Sequence, residues 1–265
     1  MIHHIRSLLH NKIFWYLASR YGTFAIQFLT SILLAIKLGP YYFGLWSFIL
    51  LLVNVGQQCN FGIAYAVNIL LVQNKHDRAK CSDFELNALM LTGLVCVVPF
   101  LLAIYDTVFP IPLFAKYQLG KLSYAVAFIV SCFYLNQLFI NVFRVKNRIL
   151  EIAINQSLFP VLTFAVIFCA TDRQLLHLLV SAYVLAMVAS VGLFLRARML
   201  SLGGSKFSLG VSRVILEKGF FLFLYNSCFF LIMLSSKTII SIYYPVETFA
   251  HFAFSFKFII FLILC

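Results

Sequence analysis

Long apolar runs separated by short polar gaps set the pattern of this chain. A membrane-crossing helix needs roughly 20 consecutive, mostly apolar residues. Eight runs reach or approach that length: 14–37, 43–70, 84–105, 120–142, 150–170, 174–195, 217–241 and 248–265. The pattern predicts an all-α, polytopic membrane protein with about eight transmembrane helices. The second run is long for one crossing, and its centre, "NVGQQCNFG" (Asn54–Gly62), is rich in amides and contains two glycines. A helix broken or strongly kinked there is expected, lining protein rather than lipid. Pro99 and Pro160 fall inside the third and fifth runs, where kinks are tolerated.

Composition agrees. Of 265 residues, 63% are hydrophobic and 11% charged, and the mean hydropathy is +1.00. A soluble domain carries about 25% charged residues, so helices with polar outer faces are excluded. The net charge of +12 does not indicate nucleic acid, because the cations sit in gaps between apolar runs rather than along one polar element. With the N-terminus in the cytoplasm, fourteen of the twenty Lys and Arg residues fall on the inner side, including Arg6, Arg20, Lys75–Lys80, Arg144–Arg148 and Arg196–Lys218. Lys37, Lys116, Lys121, Arg173, Lys237 and Lys257 fall on the outer side or in the outer half. This asymmetry follows the positive-inside rule. The basic, Gly/Ser-rich gap "RARMLSLGGSKFSLGVSR" suits a boundary between two bundles. The expected organisation is a six-helix bundle over 1–198, a cytoplasmic linker over 199–216, and the first two helices of a second bundle over 217–265.

Polar residues inside the apolar runs point to function. On the first helix, Arg20, Thr23, Gln27, Thr30, Ser31 and Lys37 fall within an arc of about 120°. Such a face lines a polar cavity, packs against another helix, or lets its end cations reach the headgroups. Asn54, Gln57, Gln58, Asn60 and Asn68 add amides that suit sugar hydroxyls or a neighbouring helix, whereas Asn136, Gln137 and Asn141 read as helix–helix contacts. Lys237 and Lys257 lie in or near the last two runs. Unpaired cations on an internal path attract an anionic substrate. The eight acids lie in loops or at helix ends, which gives little support to cation-driven pumping.

Catalytic chemistry is not indicated. HExxH, GxSxG and P-loop motifs are absent, the histidines lack metal-ligand spacing, and the seven cysteines are scattered without a CxxC. No enzyme activity, metal or cofactor is expected.

Two hairpins echo each other. "ILLAIKLGPYYFGLWSF" and "SSKTIISIYYPVETFAHFAFSF" both run from an apolar helix with a cation, through a proline, to a small residue and aromatics. The stretch "LLAIKLGPYYFGLWSFILLLVNVGQQCNFGIAYAVNILLVQNK" strongly resembles the start of the polysaccharide biosynthesis flippases. These are the O-antigen repeat-unit translocases of the multidrug/oligosaccharidyl-lipid/polysaccharide exporter superfamily. The match lies at Leu38–Phe48, Asn60–Gly62 and Asn74–Lys80, with a second at Ser235–Phe254. In the second, Ser236 stands at the family's acidic position and Ala250 at its glycine. The resemblance implies two six-helix bundles around a central cavity in the bacterial cytoplasmic membrane. It further implies alternating-access flipping of undecaprenyl-diphosphate-linked oligosaccharides for O-antigen, lipopolysaccharide, capsule or exopolysaccharide assembly. Partners would be the lipid-linked oligosaccharide, membrane lipids and other polysaccharide-assembly proteins. The substrate-binding set would be Arg20, Gln27, Lys37, Gln57, Gln58, Asn60, Asn68, Lys237 and Lys257. Against the family's twelve or more helices, this chain is expected to be truncated. An ion-coupled multidrug-type exporter, a membrane glycan polymerase or ligase, and a non-transporting fragment are the alternatives.

Overall fold

Long apolar runs leave the backbone no partner but itself, and the chain answers with helices throughout. The computed structural model describes residues 12–169, 172–197 and 205–264. The N-terminal stretch with Arg6, residue 198 and residues 199–204 of the expected linker lie outside the described residues. Ten helices are described: α1 (Lys12–Gln58), α2 (Ile63–Gln73), α3 (Arg78–Val95), α4 (Val97–Val108), α5 (Pro112–Lys116), α6 (Leu122–Val145), α7 (Ile149–Val166), α8 (Asp172–Arg196), α9 (Leu209–Tyr243) and α10 (Val246–Leu264).

Six stretches among the described residues are long and apolar enough to cross a membrane: Ser19–Gln58, Arg78–Val108, Leu122–Val145, Ile149–Val166, Gln174–Arg196 and Leu209–Ile232. The architecture is therefore helical and multi-pass. Eight separate crossings were expected. The count differs partly because the first two expected runs are joined in α1, and partly because the side chains at the end of α10 lie outside the described residues.

α1 is not one straight rod. Its 47 residues would span about 70 Å, more than twice the hydrocarbon thickness. Gly39 interrupts it with φ 66° and ψ 174°, a conformation open essentially to glycine alone. Pro40 then starts the second arm, where its missing N–H and fixed φ cost nothing. Both arms pack on α10. Lys257 Nζ lies 3.2 Å from Ser31 Oγ and 5.7 Å from the Phe43 ring centroid. A straight helix would separate residues 31 and 43 by about 18 Å, so the chain turns at Gly39.

The expected break near Asn54–Gly62 is present. α1 ends at Gln58, and α2 begins at Ile63 after Phe61 and Gly62 adopt φ 51° and 69°. The Asn60 side-chain oxygen accepts the Gly62 N–H at 2.9 Å, closing the turn. Tyr134 of α6 donates to the Gly56 carbonyl at 2.7 Å. On the other side Gly62 meets the backbone of Gly219 on α9: a Cβ on Gly62 would overlap the Gly219 carbonyl, and one on Gly219 would lie 2.8 Å from the Phe61 carbonyl oxygen. The break is thus clamped between α6 and α9.

The largest core cluster joins the second arm of α1 to α6, α8 and α10 through Trp46, Phe48, Tyr134, Tyr183 and Phe249. Phe48 stacks on Tyr117 with centroids 3.8 Å apart, and Phe249 meets both rings edge-on. The two echoing hairpins are therefore neighbours: Gly44 packs on Val246, and Phe43 on Phe254.

Two sequence expectations shift at the end that carries Lys75–Lys80 and Lys146. The linker expected over 199–216 is helical from Leu209, and α9 reaches 35 residues. Asn87, fully buried in α3, receives the Ser208 N–H at 2.9 Å and donates to the Lys206 carbonyl at 3.1 Å, tying the start of α9 to α3. Glu85 was expected at a helix end. It lies inside α3 at 1% exposure and pairs with Lys146 at 2.6 Å.

Candidate functional site

The lysines of the last two helices form a polar feature among aromatic and apolar side chains. Lys237 on α9 lies over the Phe256 ring of α10 at 4.0 Å. The next residue, Lys257, donates to Ser31 of α1 at 3.2 Å and lies 5.7 Å from the Phe43 centroid. Aromatic faces and a hydroxyl are partners a lysine ammonium accepts when no carboxylate is near. Among the described residues neither lysine has an acid within ion-pair distance, although four ion pairs occur elsewhere. The site is net positive.

A second polar cluster sits at the α1–α2 break. Gln57, Gln58 and Asn60 come together with Gln137 of α6, Asn226 of α9, and the rings of Tyr65 and Phe223. The enclosed space is about 30 Å³, room for a water molecule or two rather than a sugar. Amides beside aromatic faces are a combination that suits sugar hydroxyls and ring faces. Asn226 and Lys237 are eleven residues apart on α9, within about 20° on one face and about 16 Å apart along the axis. The amide cluster and the lysine pair thus lie on one face of α9.

The other expected residues are placed differently. Arg20 is exposed, 5.9 Å from the Phe24 centroid on its own arm, and Gln27 is exposed. Arg20 and Lys37 lie about 25 Å apart along the first arm. Lys37 donates to the Ile167 carbonyl at 2.6 Å, capping the C-terminus of α7. Asn68 is turned to α6, donating to Asn141 at 3.2 Å. Asn136 accepts from Ser190 of α8 at 2.7 Å. Of the nine expected residues, the structure gathers Gln57, Gln58 and Asn60 in one place and Lys237 and Lys257 in another.

Sequence reading passed over Asn226, and it assigned Gln137 to helix packing. The shared face of Asn226 and Lys237 on one helix was the signal available. No equivalent signal marked Phe43 and Phe256 as lysine partners, because aromatics occur throughout these runs. Among the described residues no cluster of His, Cys, Asp and Glu suits a metal ion. No family model, curated protein or solved structure matches the chain.

Proposed function

We propose that this chain translocates an anionic lipid-linked oligosaccharide across a membrane, in the manner of the polysaccharide flippases whose first hairpin it resembles. The observation that carries the reading is the lysine pair: Lys237 and Lys257 sit in apolar helices with rings and one hydroxyl for company. A diphosphate group is the complementary charge, and a low-dielectric surrounding strengthens its attraction. The amides and rings at the α1–α2 break supply hydrogen bonds and flat faces for sugars. Because that space is narrow, the present arrangement corresponds to a closed state, and α9 and α10 move away from α1 to admit a headgroup. The lipid tail stays in the bilayer throughout, and no covalent step is required.

In this reading the eight expected crossings comprise the two arms of α1, broken near Gly39, together with α3–α4, α6, α7, α8, α9 and α10. The membrane is the bacterial cytoplasmic membrane, with the basic end at the cytoplasm. An ion-coupled exporter finds less support. The buried carboxylates Glu85 and Asp106 are engaged, Glu85 with Lys146 at 2.6 Å and Asp106 with the Ile111 N–H at 3.0 Å.

Reconstitution tests the proposal. The purified chain in sealed vesicles is expected to move a fluorescent prenyl-diphosphate oligosaccharide between leaflets faster than protein-free vesicles do. Equal rates overturn it.

A further inference from the structure

A cavity of about 510 Å³ opens at the basic end, between the end of α2, the first turns of α3 and the end of α6. It is separate from both polar clusters described above. Lys75 and Arg78 stand at its rim, both exposed, and neither forms an ion pair among those found in the described residues. Its inner wall holds the Glu85–Lys146 pair beside Ser82. Neither of the two other nearby acids lines the cavity: Asp77 is committed to Lys80 at 3.3 Å and to the Lys80 N–H at 3.1 Å, and Asp83 accepts the Lys206 N–H at 3.1 Å. With Glu85 balanced by Lys146, the rim contributes two uncompensated positive charges.

The remaining walls are apolar. Leu71 and Val145 line the cavity, and Val72, one turn before Lys75 and about 60° from it around α2, is exposed outside it. A free phosphate would gain nothing from that surface. A phospholipid would use both parts: its headgroup at Lys75 and Arg78, and the start of its acyl chains along the exposed Val72. Basic pockets between transmembrane helices at the membrane surface favour anionic headgroups in this way.

We propose that this cavity binds the headgroup of an anionic phospholipid from the leaflet at the basic end. The occupant bridges α2, α3 and α6, the elements that meet around the Glu85–Lys146 pair. The site is independent of the translocation reading and stands or falls without it.

Lipid binding to the delipidated full chain in detergent tests the inference, read as the shift in unfolding temperature and as bound mass by native mass spectrometry. Phosphatidylglycerol is expected to bind and stabilise, whereas phosphatidylcholine and soluble glycerol phosphate are not. Lys75→Gln with Arg78→Gln is expected to weaken phosphatidylglycerol binding about thirtyfold, from two surface charges. Both side chains are exposed, so folding is retained, and Arg213→Gln serves as a control of equal charge type that leaves affinity unchanged. Parental affinity in the double variant, equal stabilisation by phosphatidylcholine, or equal binding of glycerol phosphate alone would each overturn the proposal.

Discussion

Gly44 and Val246 are in backbone contact: a Cβ on Gly44 would lie 2.5 Å from the Val246 carbonyl oxygen. These residues follow Pro40 and Pro245, the prolines of the two echoing hairpins. The second helix of each hairpin therefore lies against its counterpart, and the glycine is what allows the approach. In Gly44→Ala the methyl group meets backbone, which cannot rotate away. The expected loss is about 1–3 kcal/mol, measured as a lowered unfolding temperature in detergent. Gly93→Ala is the control, since a Cβ at Gly93 meets nothing within 4 Å.

Lys116 closes the far end of α9. Its ammonium donates to the carbonyls of Ser241, Ile242 and Tyr244 at 2.8, 3.0 and 2.6 Å, the acceptors a helix C-terminus leaves open. Lys116→Met is expected to cost about 1–2 kcal/mol locally, since part of the contact is solvated. Faster hydrogen exchange confined to the last turn of α9 is the expected readout.

The Glu85–Lys146 pair responds asymmetrically to mutation. Lys146→Met leaves a carboxylate at 1% exposure without its cation, at a cost of about 3 kcal/mol. Adding Glu85→Gln to that variant removes the stranded charge and is expected to restore most of the loss. A double-mutant cycle in thermal unfolding reads the coupling directly.

Asp77 gives α3 a pH-dependent start. The Lys80 N–H it receives holds its carboxyl below the ordinary value of 3.8. A folded value below the unfolded one means stability that is present above the unfolded value and lost as pH falls through the folded one. Protection of the first α3 amides is therefore expected to hold from neutrality to about pH 5 and to fall below pH 4. Asp77→Ser keeps an N-cap acceptor and is expected to abolish that dependence.

How far the sequence reveals these features depends on range. The α1–α2 break was legible because amides flanked by Gly56 and Gly62 cannot serve a continuous lipid-facing helix. The turn at Gly39–Pro40 was legible from local chemistry in the same way. The early start of α9 was not, because residues 209–216, with Arg213 among them, read as part of a basic, Gly/Ser-rich linker. On a helix, Arg213 and Glu217 become an i, i+4 pair at 2.7 Å, and Lys218 reaches Gln73 at 2.9 Å. Lys37 read as a cation at a cavity mouth, yet its partner is a carbonyl 130 residues away. Burial of Glu85 is likewise fixed by Lys146, on a different helix. Local breaks declare themselves in composition, whereas the partner of a charge is decided by packing between distant helices.

The lysine pair is the centre of the functional account, and its replacement is the most direct test. Lys237→Gln with Lys257→Gln removes both charges while keeping polar, similarly long side chains. In vesicles carrying a fluorescent prenyl-diphosphate oligosaccharide, the double variant is expected to insert and unfold like the parent but to transfer the lipid at least about tenfold more slowly, a loss of about 1.4 kcal/mol in transition-state stabilisation. Transfer at the parental rate by a correctly inserted double variant would contradict the account.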